Sequence, residues 1–180
     1  MQPRRTDALS AHRWSQPGTN YFITCCTRFR TLGLTEAAIA ATLSDIIRRS
    51  DEGGDSETWA FTIMPDHFHW VLTLGSRLSL GRVVARFKAQ TRPVLGAAGL
   101  VWQRDFFEHR LRLAESMESY GLYVFLNPYR AGLIAADQAW PHWRCPRPET
   151  FLFMSQLNPG AVPPCEWIGL PIPPSLAVGE

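Results

Sequence analysis

Two histidines separated by one residue are the first candidates for chemistry in this sequence of 180 residues. His67 and His69 belong to the stretch HFHWVLTL, which is rich in β-branched and aromatic residues and predicts a strand over residues 67–74. Residues two apart on a strand point to the same face, so the two imidazoles stand side by side while Phe68 and Trp70 face the core. Such a pair either chelates a metal ion or forms ordinary hydrogen bonds, and the HxH pattern alone leaves both alternatives open.

A tyrosine and an asparagine further along the chain bear on the metal alternative. Residues 115–126 predict a helix that is stopped by Asn127-Pro128 and Gly132. Tyr123 and Asn127 are four residues apart and are therefore neighbours on one helix face. An asparagine carbonyl oxygen suits Mg²⁺ or Mn²⁺, and a tyrosine hydroxyl beside such an ion is a candidate nucleophile. Tyr120 is a second candidate, and ordinary packing of both tyrosines remains the alternative.

The elements that must position these residues follow one another as strand, helix, strand, strand, helix, strand, helix. Strands are predicted at residues 20–28, 58–64, 67–74 and 101–108, and helices at 35–50, 79–90 and 115–126. The first six elements match the ferredoxin-like split β-α-β arrangement, an α+β fold with an antiparallel sheet. Its two helices cover one face of the sheet, so the last helix is expected to cover part of the face that carries the histidines.

Composition excludes several classes of protein. With 46% hydrophobic and 12% aromatic residues the chain can form a core, which argues against wholesale disorder. No apolar run reaches the roughly 18 residues of a membrane span, and the first residues lack the apolar segment of a secretory signal. We therefore expect a cytoplasmic protein, in which disulfides are rare. His142-x-x-Cys145 is half of a zinc pattern without a second half.

The charge of the chain is nearly balanced, with a formal net charge of +2. Bulk electrostatics therefore give no indication of a nucleic-acid partner. Among the 18 basic residues the single lysine is Lys88. Arginine suits phosphate recognition, but the codon usage of a GC-rich genome is the simpler reason for the excess.

The two ends of the chain differ from its centre. Residues 1–19 are polar and are expected to form a flexible lead-in, whereas residues 20–134 form the main domain. Residues 135–180 form a C-terminal extension, in which nine of the 14 prolines lie from Pro141 onward among several aromatic residues. This extension is expected either to pack on the domain through its aromatic side chains or to fold against a partner.

Three stretches, in order and correctly spaced, carry a family resemblance. They are IMPDHFHW at 63–70, VWQRDFFEHRLR at 101–112 and YVFLNPYRAGLI at 123–134. These stretches resemble the signature blocks of the single-tyrosine HUH transposases, specifically the REP-associated tyrosine transposases. The similarity runs from about residue 20 to residue 134 and leaves the Pro-rich extension outside.

The resemblance implies roles for individual residues. His67, His69 and Asn127 match the metal ligands, with Mg²⁺ or Mn²⁺ as the implied ion, and Tyr123 matches the nucleophile. Tyr120 lies off that register. Asp66 stands where family members usually carry asparagine, which puts the metal preference in doubt without removing a ligand. His109 is expected to satisfy a buried hydrogen bond rather than to contact DNA.

The resemblance also implies a substrate and a reaction. The expected activity is metal-dependent cleavage and strand transfer of single-stranded DNA beside short hairpin-forming palindromes, through a 5′-phosphotyrosine intermediate. A monomer is expected, and a homodimer that exchanges tyrosine helices is the alternative. Candidates for contacts with DNA phosphates are Arg82, Arg86, Lys88, Arg110, Arg112 and Arg130.

Two other functions compete with this one. A ferredoxin-like sheet can bind single-stranded nucleic acid without chemistry, as a domesticated transposase would. Alternatively, the two histidines and Asp66 could surround an activated water in a metal-dependent hydrolase. Covalent capture of DNA distinguishes the transposase from both, since a hydrolase leaves free ends and does not need Tyr123.

Overall fold

A five-stranded antiparallel sheet forms the centre of the computed structural model, which describes residues 15–176. The order of the strands across the sheet is β4-β1-β3-β2-β5, and every neighbouring pair is antiparallel. The strands are β1 (Asn20–Cys26), β2 (Ser56–Ile63), β3 (His67–Leu74), β4 (Phe107–Arg110) and β5 (Trp143–Arg144). The first four strands have the ferredoxin-like order, which confirms the predicted α+β fold, and the extension contributes the fifth.

Two helices, α1 (Ala37–Glu52) and α2 (Leu80–Ala97), pack on one face of the sheet. Their buried side chains meet Phe68, Trp70 and Leu72 of β3, as the alternation along that strand predicts. The predicted end of the second helix at residue 90 is wrong, because α2 continues through Pro93 for two further turns. Leu95 keeps the helical spacing of buried residues in this part and is buried in the core.

The third helix, α3 (Met117–Arg130), packs against β2 and β3 on the opposite face. The predicted stop at Asn127-Pro128 is wrong, since both residues lie within the helix, whereas the predicted stop at Gly132 is confirmed. A proline this close to the end removes one backbone hydrogen bond, and burial of Pro128 and Tyr129 holds the last turn in place. The helix ends where the amide of Ala131 donates to the carbonyl of Asn127 at 3.0 Å and Gly132 adopts a φ of 66°.

The fourth strand begins later than predicted. Residues 101–106 contribute a single bridge, between Thr27 and Trp102, and the ladder with β1 starts at Phe107. Trp102 enters the core beside α2, where its indole N–H donates to the Thr91 hydroxyl at 2.8 Å. The first part of the run 101–108 thus packs in the core, and only its last part forms a strand. The periodicity of the sequence does not distinguish these two parts.

The C-terminal extension packs on the same face as α3. Phe151 and Phe153 form an aromatic cluster with Phe125 and Tyr129 of that helix. The first alternative for the extension, packing through its aromatic side chains, therefore holds for the residues described.

At the other end, the proposed flexible lead-in lies outside the described residues as far as residue 14. Residues 15–19 form a turn, in which the amide of Gly18 donates to the carbonyl of Leu74 at 2.8 Å. Within residues 15–176, no helix has both the length and the apolarity needed to cross a membrane. All four cysteines are free thiols.

Candidate active site

The two histidines lie at the N-terminal end of β3, on the face of the sheet that α3 covers. In the register of the sheet, Thr24 pairs with His69 and Cys26 pairs with His67. Paired residues of antiparallel strands share a face, so β1 presents a hydroxyl and a thiol next to the two imidazoles. The sheet thus fixes four polar side chains on one small patch.

The imidazoles face each other through their Nε2 atoms, which are 3.1 Å apart. Their Nδ1 atoms have outer partners: Asp66 Oδ1 lies 2.6 Å from that of His67, and Thr24 Oγ1 lies 2.8 Å from that of His69. A carboxylate only accepts hydrogen bonds, so a neutral His67 ring carries its proton on Nδ1 and directs the Nε2 lone pair at its neighbour. Outer partners of this kind orient metal-binding histidines.

Burial keeps His69 in the form that binds metals. Its side chain is almost fully buried, and this burial lowers the pKa of the ring well below its usual value, with smaller effects from His67 and Arg30. The ring is therefore neutral at neutral pH, as metal ligation requires. Asp66 in turn forms an ion pair with Arg30, whose Nε lies 3.1 Å from Oδ2, so the carboxylate that orients His67 is itself fixed.

The spacing of the two Nε2 atoms fits one octahedral metal ion. Two ligands at right angles, each about 2.1 Å from an ion, are separated by about 3.0 Å. Among the described residues no group of three His, Cys, Asp or Glu side chains is placed to hold a metal, so a third protein ligand would have to be of another type. Asn127 lies one turn beyond Tyr123 on α3, half-buried and outside the wall of the cavity described next.

Tyr123 brings α3 to the histidines. Its ring meets that of His69 edge-on, with 5.6 Å between ring centres, and meets Phe22 of β1 at 5.8 Å. Tyr123, His67 and His69 line one cavity of about 470 Å³. A strand and a helix that are distant in the sequence thus place the Tyr123 phenol beside the two imidazoles.

Comparison with known proteins assigns the family. The model of the IS200-like transposase family matches residues 15–115, more than half of the chain. The chain belongs to the IS200-like transposase family. The match covers β1 to β4 and includes both histidines, whereas α3 and the extension follow it in the sequence.

Relatives of this IS200-like chain carry a more specific name. A REP-associated tyrosine transposase of Escherichia coli K12 is 27% identical over 86 residues, which is 46% of this chain and 50% of the relative. A Haemophilus influenzae protein, provisionally assigned the same name, is 26% identical over 101 residues, 48% of this chain and 57% of the relative. The chain spans about half the length of the curated relatives it matches.

A solved structure has the same fold. It is a REP-associated tyrosine transposase bound to a REP hairpin, and it superposes with a TM-score of 0.63 at 23% identity. The superposition covers 91% of this chain and 89% of that one, so it includes elements beyond the family match. The similarity confirms the fold of this IS200-like chain.

Tyr120, the other candidate nucleophile on α3, has different surroundings from Tyr123. The Tyr120 hydroxyl donates to Glu115 Oε1 at 3.0 Å and contacts the Ser175 hydroxyl, and it does not line the cavity. Burial raises the pKa of Tyr120 to about 12. His109, which stacks on the Tyr120 ring, lies 2.9 Å from Glu115, and this contact is partly rather than fully buried. Tyr120 therefore belongs to a structural network.

The six basic residues suggested for DNA contacts are distributed over the molecule. Arg82 and Arg86 are exposed on α2, on the other face of the sheet from the histidines, and Arg86 pairs with Asp55 at 2.7 Å. Lys88 donates to the backbone carbonyls of residues 103–105. Arg110 and Arg112 are exposed at the end of β4.

Arg130 is the member of that set nearest the tyrosine. Its guanidinium carbon lies 5.9 Å from the centre of the Tyr123 ring. Its nitrogens donate to the carbonyls of Ile168 at 3.1 Å and Leu170 at 2.8 Å. The extension thus accepts hydrogen bonds from a residue of the signature block.

Thr24 and Arg30 are among the residues of the cavity that the sequence analysis did not predict. Thr24 could have been found, because alternation along β1 places it on the face opposite Ile23 and Cys25 of the core. Arg30 could not, because it reaches the site through two consecutive left-handed residues, Phe29 with a φ of 59° and Arg30 with a φ of 56°. No pattern in the sequence announces such a turn at non-glycine residues.

Proposed function

We propose that this chain is a single-tyrosine transposase that cleaves and rejoins single-stranded DNA beside hairpin-forming palindromes. The observation that supports the proposal best is the position of Tyr123, whose ring lies 5.6 Å from that of His69 in one cavity with the paired imidazoles. Family membership and the REP-associated names of the relatives agree with it. The solved structure that shares the fold of this chain is bound to a REP hairpin, which supports a DNA hairpin as the partner here.

His67 and His69 would hold a divalent ion, Mg²⁺ or Mn²⁺, through their Nε2 atoms, with Asn127 as the third protein ligand that the resemblance implies. The bound ion would supply Lewis-acid polarisation of a phosphodiester oxygen. Thr24 and Asp66 keep the two rings in the orientation that exposes Nε2. The neutral state of His69 makes the site available at neutral pH.

The reaction exchanges one ester for another. The Tyr123 oxygen attacks phosphorus and loses its proton to solvent, while the bond to the 3′-oxygen breaks and that oxygen takes up a proton. The 5′-phosphate stays on the tyrosine until a 3′-hydroxyl attacks and reverses the step. The number of phosphoester bonds is conserved, so no nucleotide triphosphate is consumed.

We further propose that one chain suffices. α3 packs on the sheet of its own chain, so Tyr123 meets the histidines without a second copy. Residues 20–134 would then form the catalytic domain, with residues 135–180 as an extension whose described part adds a strand and an aromatic cluster. Arg130, whose guanidinium carbon lies 5.9 Å from the centre of the Tyr123 ring, is a candidate for a phosphate contact at the site. Arg110 and Arg112 remain candidates farther away, since Arg110 pairs with Tyr21 at the other end of the β1–β4 ladder.

Covalent capture tests the proposal. Labelled single-stranded DNA carrying a palindrome from the sequences that flank the gene is incubated with the protein and Mg²⁺ or Mn²⁺ and run on a denaturing gel. We expect a labelled band at the mass of the protein that disappears with chelator and in Tyr123→Phe. Tyr120→Phe is the matched control, a buried tyrosine of the same helix, and should keep the band.

The other outcomes point to the competing functions. A shifted complex on a native gel without an adduct or cleavage would favour a module that only binds DNA. Cleavage to free ends that persists in Tyr123→Phe would indicate the hydrolase. An adduct lost in Tyr120→Phe but kept in Tyr123→Phe would overturn the assignment of the nucleophile.

A further inference from the structure

A second groove adjoins the catalytic cavity, and we propose that it binds the backbone phosphates of unpaired DNA next to the cleaved bond. Arg92 and Arg104 would make the contacts. Neither arginine belongs to the six basic residues that the sequence suggested. The inference rests on the proposed function, because it takes DNA in the cavity as its starting point.

The groove lies between the C-terminal half of α2 and residues 100–104, with a volume of about 510 Å³. Leu95 and Leu100 of the core form its buried floor, and Val101, which is 58% exposed, is the aliphatic side chain that it presents to a ligand. Arg92 and Arg104 line the same groove and are both exposed. An apolar surface between two cations suits a ligand that has both flat apolar faces and negative charge.

These two arginines differ from most others in how their charge is compensated. Within residues 15–176 neither forms an ion pair or a side-chain hydrogen bond. By contrast, Arg48 and Arg49 pair with Asp45, and Arg86 pairs with Asp55. A guanidinium without an acidic neighbour keeps its donors for an external anion, and phosphate matches its planar fork.

The groove and the catalytic cavity share a wall. Gln103 lines both, and its amide donates to the carbonyl of Cys26 at 2.9 Å, next to the strand end that carries His67. Lys88 Nζ fixes this wall by donating to the carbonyls of Gln103 at 2.8 Å and Asp105 at 2.9 Å. In this proposal a strand that leaves the cavity past Gln103 would reach the groove on the other side of that residue. Lys88 shapes the path rather than contacting phosphate.

The ligand is single-stranded rather than paired DNA. In a duplex the faces of the bases are stacked and cannot reach an apolar surface, whereas an unpaired base can lie on the exposed side chain of Val101. Binding of this kind combines phosphate contacts with base contacts and depends little on sequence. The groove thus holds the unpaired flank, and the hairpin itself binds elsewhere.

The test measures affinity with two probes of the same palindrome, one trimmed to the hairpin and one with unpaired flanks on both sides. The variant is Arg92→Ala with Arg104→Ala. Arg48→Ala with Arg49→Ala is the matched control, since it removes the same charge from α1 and lines neither the cavity nor the groove. We expect the first double variant to weaken binding of the flanked probe about tenfold at moderate salt and to reduce the salt slope by about 1.4, the value for two single-strand phosphate contacts. Binding of the trimmed hairpin and the control variant should match wild type.

Each other result overturns the inference. An unchanged affinity for the flanked probe would remove the groove from the DNA path, and an equal loss with both probes would assign it to the hairpin stem. Failure of the proposed function is seen separately, as wild-type protein that forms no tyrosine adduct while the variants still lose affinity for the flank. Wild-type protein that binds neither probe would overturn both.

Discussion

Two threonines flank His69 from the neighbouring strands and have opposite surroundings. Thr24 of β1 and Thr62 of β2 both pair with His69 in the sheet. The Thr24 hydroxyl lies 2.8 Å from the Nδ1 atom of the ring, whereas the buried hydroxyl of Thr62 has no partner among the described residues. The Thr24 hydroxyl can therefore orient the His69 ring, whereas the Thr62 hydroxyl cannot, and the two threonines can be compared by mutation.

We expect Thr24→Val to weaken binding of Mn²⁺ about tenfold or more, because His69 loses the partner that orients its ring. Thr62→Val should leave the affinity for Mn²⁺ unchanged and raise the free energy of unfolding by about 1 kcal/mol, since it removes a buried hydroxyl without a hydrogen bond. Calorimetric titration with Mn²⁺ and denaturant unfolding measure the two quantities. Equal losses of affinity in both variants would show that Thr24 does not orient the ring.

At this scale the sequence predicts the residue types well and the outer contacts poorly. Alternation placed His67 and His69 on one face, and helical spacing indicated Tyr123 as a candidate to lie beside them. The link between Asp66 and Arg30 depends on a turn that takes Phe29 and Arg30 into the left-handed region, which only the folded chain reveals.

The helix that carries Tyr123 can approach the C-terminal extension closely because Gly121, which faces the extension, has no side chain. A Cβ atom at Gly121 would lie 2.3 Å from Cε1 of the Phe151 ring, far inside contact distance. Phe151 and Phe153 pack with Phe125 of the same helix. Gly121 thus permits an approach that any other residue would prevent.

We expect Gly121→Ala to lower the free energy of unfolding by about 1–3 kcal/mol, because displacing Phe151 outweighs the gain of about 1 kcal/mol in helix propensity. Gly81→Ala in α2 is the matched control, since a Cβ there would meet no atom within 4 Å, and it should stabilise the protein slightly. Guanidinium unfolding of both variants measures the difference. If Gly121→Ala stabilises the protein, the Phe151 ring can move aside without lowering the free energy of unfolding, which would contradict the prediction.

The errors in element bounds share a cause at this scale. Pro128 suggested that the third helix ends, and the second helix was predicted to end at residue 90. Both helices continue, because burial of Tyr129 and Leu95 outweighs the loss of one backbone hydrogen bond at Pro128 and at Pro93. Local signals gave the existence and type of each predicted element, whereas tertiary packing determined where several of them end.

At the scale of the whole molecule, Glu115 connects β4 to α3 and, through the Tyr120 hydroxyl, to Ser175 of the extension. It accepts hydrogen bonds from the Arg112 amide at 2.7 Å and from the Tyr120 hydroxyl at 3.0 Å, and His109 of β4 lies within 2.9 Å. Burial acts to raise the pKa of the carboxyl, but these hydrogen bonds lower it to about 2 from an ordinary value of 4.5. The ionised form is therefore favoured in the folded state.

A depressed folded-state pKa contributes stability above the unfolded value and loses it as the pH falls. We expect the free energy of unfolding of the wild-type protein to fall between pH 4.5 and about 2 by more than that of Glu115→Gln, which has no proton to take up at this site. The difference between the two proteins should be largest above pH 4.5 and smallest near pH 2. Denaturant unfolding over this range tests it, and two parallel curves would contradict the role of Glu115.

The arrangement of the extension is what the sequence left open at this scale. Its prolines and aromatics predicted either packing on the domain or a partner, and their irregular spacing indicates no element. The short strand Trp143–Arg144 extends the sheet at β2, which no periodicity of two residues could announce.

The two outermost strands are β4, with four residues, and β5, with two, beside inner strands of seven and eight. Each ends in an exposed arginine, Arg110 or Arg144. Long, flat edge strands with unpaired backbone N–H and C=O groups can pair with further chains and form fibrils. Short edge strands that carry charged residues resist such pairing. A concentrated solution of this protein should therefore resist amyloid-type aggregation, although most of its sheet consists of aromatic and β-branched residues.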